Sequence, residues 1–179
     1  MSLAFLIAPR AGKAQTLDQS ALTSDFSGLW VLDRKATTDS TLLRVVDEVS
    51  LVIKQDKNVL SVTYRVRVKN KVRSTELRYF IDGRGEENRS PFGGRDRSSK
   101  TFWSYGNLVS EYIITTSLAG NFYKQEARDL WELSADRSAL TIRTEIGEAH
   151  LANDAMRMFL RPQKYKRVYR KTDERSANN

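Results

Sequence analysis

Apolar and polar residues alternate along most of this chain, and turn residues break the alternation at short intervals. The clearest stretch is Asn58 to Lys69. Leu60, Val62, Tyr64, Val66 and Val68 fall on one face, while Ser61, Thr63, Arg65 and Arg67 fall on the other. A period of two places successive side chains on opposite faces, so the pattern predicts a strand with one dry side and one wet side. The same reading gives strands over Phe26 to Leu32, Val49 to Lys54, Val72 to Ile81, Thr101 to Tyr105, Leu108 to Ser117, Phe122 to Leu133, Ala139 to Ile146 and Gln163 to Lys171. Between them stand Gln55-Asp56-Lys57-Asn58, Lys69-Asn70-Lys71, Asp82-Gly83, Tyr105-Gly106-Asn107, Ala119-Gly120-Asn121 and Ala135-Asp136-Arg137-Ser138. Such residues tolerate the backbone of tight reversals. Short turns between successive strands mean an antiparallel meander, and a long meander removes its edges by closing.

The expected fold is therefore all-β: one antiparallel up-and-down barrel of about eight strands, cut from nine strand candidates. Lys35 to Asp47 reads as an irregular or briefly helical connection, and Glu148 to Met158 as a short helix before the last strand. The chain has 179 residues with 40% apolar and 9% aromatic content, enough for one core, which is assigned to residues 25–171. Residues 172–179 are polar and read as a frayed tail.

The first sixteen residues differ in character. Leu3 to Ala8 is an apolar run too short to span a bilayer, and Gly12 and Ala14 have the −3/−1 spacing of a signal-peptidase site. Two readings stand, a remnant of a signal peptide or an ordinary flexible terminus. The first makes the protein periplasmic or secreted, the second allows a cytoplasmic one. No transmembrane segment is expected. Cysteine is absent, which excludes disulfides and thiol chemistry.

Phe26-Ser27-Gly28-Leu29-Trp30, with Trp131-Glu132-Leu133-Ser134-Ala135-Asp136 and Leu140-Thr141-Ile142 later, resembles the small bacterial lipocalin-like (calycin) β-barrel proteins, most of them uncharacterised. That resemblance implies a barrel whose first-strand Trp closes one end, with an Arg from a late strand across the ring. Arg143, Arg167 and Arg170 all qualify for that Arg. The residues support a structural role independently. A glycine in a strand lets another group approach closely, and Trp30 brings a large apolar body with one N–H to satisfy.

Charge adds a second feature. Thirty Lys and Arg against twenty-two Asp and Glu give a formal charge of +8. The excess gathers in Arg65, Arg67, Lys69, Lys71 and Arg73, and again in Arg161, Lys164, Lys166, Arg167, Arg170 and Lys171. Such clusters attract anionic lipid headgroups, acidic polymers or nucleic acid. They equally describe a solvated outer face that discourages edge pairing.

Asp82 to Lys100 reads as the longest loop. It lacks the calcium-loop spacing, and Gly83-x-Gly85 lacks the helix that would make a phosphate cradle. Two readings stand, an ordinary mobile connection or, with Phe92 to anchor it, a gate at a barrel mouth. Catalytic chemistry is sparse. His150 is the sole histidine, and pairs such as Glu86-Glu87 point to opposite faces of a strand. No metal site, catalytic residue or cofactor is expected.

These observations support non-catalytic binding of a small, partly apolar ligand inside the barrel. Val62, Tyr64, Val66, Leu77, Tyr79, Trp103 and Tyr112 are its contacts on the faces read as inward. Tyr123 is a further inward tyrosine. The runner-up is a surface-binding protein that engages an anionic partner through its basic clusters. A weaker third reading is a barrel isomerase or cyclase working with a Tyr or a carboxylate.

Overall fold

The structure is a computed structural model that describes residues 24–89, 97–118, 120–150 and 160–172. Its first elements are β1 (Gly28–Leu32), α1 (Ser40–Val45), β2 (Glu48–Asp56), β3 (Val59–Val68) and β4 (Lys71–Phe80). There follow β5 (Glu86–Asn88), β6 (Arg97–Ser104), β7 (Asn107–Leu118), β8 (Asn121–Leu133), β9 (Ala139–Ala149) and β10 (Gln163–Thr172). All ten strands belong to one antiparallel sheet in the order β4-β3-β2-β1-β10-β9-β8-β7-β6-β5. The first and last strands pair, with Trp30 opposite Lys171 and Leu32 opposite Tyr169. The sheet thus wraps until β4 and β5 meet as its two edges.

That count corrects the expectation of eight. All nine strand candidates are present, and the tenth is β5, which lies inside the segment read as a loop. Alternation cannot reveal a three-residue strand, least of all one spelled Glu-Glu-Asn. Arg97 to Lys100, also assigned to that loop, already belongs to β6. Glu148 and Ala149, read as helical, finish β9. His150 follows in a turn, and residues 151–158 of that expected helix, the residues around Phe92, residues 1–16 and the tail beyond Thr172 lie outside the described residues.

Turn chemistry sets the register. Lys69 and Asn70 both have positive φ, as do Tyr105 and Gly106, so the β3–β4 and β6–β7 hairpins have two-residue loops of the twist-compatible kind. The one described helix is short and well tied. Asp39 caps it by accepting the Leu42 N–H at 3.0 Å, and the Arg34 guanidinium donates to the Leu43 and Val46 carbonyls at its other end. Leu42 turns into the core. Among the described residues no helix is long and apolar enough to cross a membrane.

One end of the barrel is plugged. Residues 24–27 cross it, held by Gln55, whose side chain accepts the Phe26 N–H and donates to the Ser24 carbonyl. The Phe26 ring stacks on Trp103 at 5.8 Å and meets Trp131 edge-on, and Tyr79 meets Trp131 edge-on from the other side. Trp30 is fully buried and donates its indole N–H to the Phe26 carbonyl at 2.9 Å. The resemblance put a late-strand Arg on the Trp30 ring. The cation there is Lys171, 5.3 Å from the ring centroid. Strand register is the reason, since it makes Lys171 the direct cross-strand neighbour of Trp30. Arg170 and Arg143 point elsewhere, to Asp33 and Glu132. Gly28 serves the same end: its φ is +140°, and a Cβ there would stand 2.8 Å from the Lys171 stem.

Candidate functional site

Above this floor the inner wall changes chemistry from one side to the other. On β2–β4 it is apolar, built from Val49, Leu51, Ile53, Leu60, Val62, Val66 and Leu77, with Tyr64 and Tyr79 among them. On β6–β9 and β10 it carries Arg97, Ser99, Thr101, Ser110, Tyr112, Asp129, Thr144, Tyr165 and Arg167. Strict alternation puts these polar groups inside, because their neighbours Lys100, Glu111, Arg128, Glu145 and Lys164 form a row of alternating charge on the outer face.

The polar side is organised around three acidic groups. Asp129 accepts from the Thr144 hydroxyl at 2.7 Å and from the Tyr112 hydroxyl at 3.1 Å. Asp39, from the cap of α1, pairs with Arg167 at 2.7 Å, and both are nearly buried. Glu86 reaches in from β5, accepting the Ser99 and Thr101 hydroxyls, each at 2.6 Å, through one oxygen and the Phe80 N–H through the other. Arg97 differs from Arg167. Its guanidinium lies over the Tyr112 ring at 3.7 Å, and among the described residues no carboxylate stands within ion-pair distance of it. Its pKa is nevertheless raised. Burial opposes the charge, but the electrostatic influence of Tyr79, Tyr112, Asp129 and Tyr64 outweighs it. Burial pushes the Tyr64 phenol up to about 12, with Arg167 pulling the other way. Tyr112, Tyr79 and Tyr169 are raised further, again chiefly by burial, so all four hydroxyls stay protonated at neutral pH. The Tyr169 hydroxyl is buried and has no hydrogen-bond partner among the described residues.

β5 also closes the barrel. Asn88 mimics a strand residue: its side-chain oxygen accepts the Arg78 N–H at 2.8 Å, and its amide donates to the Arg78 carbonyl at 2.9 Å. Together with the Glu86 bond to Phe80, side chains satisfy the edge that backbone pairing leaves open.

All seven contact residues named from sequence face inward. Val62, Leu77 and Tyr79 lie deep in the core, and Trp103 stands in the floor against Phe26. Tyr64, Val66 and Tyr112 stand higher, next to the polar groups. Sequence reasoning missed Arg97, Asp129, Thr144 and Glu86. For Asp129 and Thr144 the available signal was an inward position on a legible strand, a place where a charge or hydroxyl needs a partner, whereas Glu86 and Arg97 fell in the segment read as a loop, where alternation gave no signal. His150 is exposed, 3.9 Å from Glu126 on the outer surface, away from this wall. A broad open depression of about 1050 Å³ runs along β6–β9, lined by outward residues such as Lys100, Ile113, Lys124 and Arg128 and also by Arg97, Ser99 and Tyr112 of the inner wall.

The two basic clusters separate. In the C-terminal one Lys164 pairs with Glu145, Arg167 with Asp39 and Arg170 with Asp33, while Lys171 covers Trp30. In the β3–β4 hairpin Arg67 meets Glu48 at 3.2 Å, and all five basic residues are exposed.

No family model and no curated protein sequence matches the chain. Solved structures do. The zebrafish ileal bile acid-binding protein, solved with cholic acid, matches with a TM-score of 0.54 and 12% identity, over 83% of this chain and 100% of that one. Apo lipid binding protein 8 of Caenorhabditis elegans matches with a TM-score of 0.53 and 14% identity, over 84% and 99%. At these identities the likeness is one of fold. The chain is an all-β, nearly closed antiparallel barrel of the lipocalin-like kind, with ten strands and one small helix.

Proposed function

We propose that the protein binds a small amphipathic molecule in the upper part of its barrel, without catalysis. The observation that carries this reading is the division of the inner wall, apolar on β2–β4 and polar on β6–β10. An apolar body would lie against Val66 and the Tyr64 ring, and a polar group would face Arg97, Tyr112 and Asp129. Arg97 and the Tyr169 hydroxyl supply donors that the described residues leave unanswered. The ligands named for the two similar structures, cholic acid and lipid, belong to the same broad chemistry and support the reading by analogy of fold.

The test is a titration with the apolar, anionic fluorophore 1-anilinonaphthalene-8-sulfonate, paired with native mass spectrometry of freshly purified protein. The expected result is saturable binding of one probe, weakened about tenfold in Arg97→Met because a charge-assisted hydrogen bond is lost. Absence of saturable binding in folded protein, with no co-purifying small molecule, would overturn the reading.

A further inference from the structure

The β3–β4 hairpin extends past the barrel. Its eight residues from Arg67 to Ser74 are all exposed, although they continue two strands whose lower halves line the core. A hairpin that leaves the core normally carries polar residues alone. This one carries Val68 and Val72, 38% and 62% exposed, and α1 adds Val45 at 59% beside it. Asp47, two residues after Val45, ties that corner to the hairpin by accepting the Lys69 N–H and donating its own N–H to the Arg67 carbonyl.

The valines alternate with cations on both faces. Val72 shares its face with Arg65, Arg67 and Lys69; Val68 shares the other with Lys71 and Arg73. Unlike the C-terminal cluster, this one is opposed by few acids, chiefly Glu48 on Arg67. A rigid two-residue turn holds the array at the tip.

We infer that this hairpin is a docking surface for an anionic lipid bilayer. Lys and Arg would sit at the headgroup level, where the negative surface potential attracts them, while Val68 and Val72 reach the apolar boundary below. Nucleic acid fits less well, because the tip offers no aromatic face for a base to stack on. The inference is independent of what the barrel holds.

The experiment is co-sedimentation of the full-length protein with two kinds of vesicle, phosphatidylcholine alone and phosphatidylcholine with about one third phosphatidylglycerol. Each variant's melting temperature is recorded alongside. Binding is expected on the anionic vesicles only, and it should fall as salt rises. Replacing Arg65, Arg67, Lys69, Lys71 and Arg73 together by Gln should lower the partition coefficient by about three orders of magnitude, at about fivefold per cation. Val68→Thr with Val72→Thr keeps every charge and the β-branched shape. It should weaken vesicle binding by about an order of magnitude and leave heparin retention unchanged. Failure of the wild-type protein to prefer anionic vesicles overturns the inference. So does a Val pair variant that binds them as tightly as wild type, which would mark the hairpin as a general polyanion or nucleic-acid site.

Discussion

The β2–β4 side of the barrel and the β6–β10 side are made by the same geometry, and they use their inward positions in opposite ways. On β2–β4 the inward positions of the dry wall hold Val, Leu and Ile, and the polar residues face water. On β6–β10 hydroxyls, carboxylates and two arginines face inward above an apolar floor, and each carboxylate is met by donors. The apolar side gains its stability from burial, which is non-directional and tolerates similar shapes. The polar side gains little net stability from its hydrogen bonds, yet leaving any one unmade is costly. A barrel needing only to fold would do well with apolar walls throughout. On the proposed reading, the polar side is therefore where specificity for the ligand would lie.

The sharpest way to break this comparison is to truncate one large side chain of the apolar core. Trp30→Ala should destabilise the protein by roughly 3–5 kcal/mol, and Leu60→Ala by roughly 2–5 kcal/mol, with no ligand present. Both residues are fully buried in the main cluster. Thermal and urea unfolding measure it. A wild-type melting temperature for either variant would remove the apolar side from its structural role.

The polar side should respond differently. Asp129→Ala leaves the Tyr112 and Thr144 hydroxyls without their acceptor, so a stability loss of about 1–3 kcal/mol is expected. Its effect on binding of the anilinonaphthalene probe should exceed that of Leu60→Ala measured in equally folded protein. Equal effects of the two variants on the probe would mean that the two sides do not divide the work.

Much of this contrast was readable in advance, and its failures have physical causes. Alternation on β3 placed Val62, Tyr64 and Val66 inside, because one face of that strand is apolar throughout. It gave no comparable answer on β8, where Gln125, Ala127 and Asp129 occupy the inward register and look like surface residues. Only pairing with Tyr112 and Thr144 shows that Asp129 belongs inside. The Trp30 ring teaches the same lesson, since the choice of Lys171 over the arginines follows from a register that composition does not contain. The two basic clusters look alike as sequence too. Acids remote along the chain pair with Lys164, Arg167 and Arg170 of the C-terminal one.

Alkaline titration sharpens the comparison where the two sides meet, at Tyr64. Its folded pKa of about 12 lies above the ordinary value of 10.0. The folded state thus holds this proton more tightly, so the stability linked to it is complete below pH 10 and is lost as pH rises from 10 towards 12. Unfolding followed by circular dichroism should show that loss, and Tyr64→Phe should reduce it, with the rest owed to Tyr79, Tyr112 and Tyr169. An unchanged alkaline limb in the variant would place the sensitivity in other tyrosines.

The smallest expected effect serves as a reference outside both sides. Asp136, in the β8–β9 turn, accepts hydrogen bonds from the Ser134 hydroxyl and from the Ser138 hydroxyl and N–H. These bonds favour the carboxylate and hold its pKa at about 2, below the ordinary 3.8. Here the sign is reversed from Tyr64. The unfolded state binds the proton more readily, so the contribution is present above the ordinary pKa and is lost as pH falls from 3.8 towards 2. The turn is exposed to solvent, which keeps the contribution slight. Asp136→Asn should accordingly blunt only the acid limb of the stability profile and leave both the alkaline limb and probe binding at their wild-type values. A change in probe binding would show that this turn, at the floor end of β8 and β9, communicates with the polar wall. That wall would then be no independent unit, and the division between the two sides would have to be redrawn.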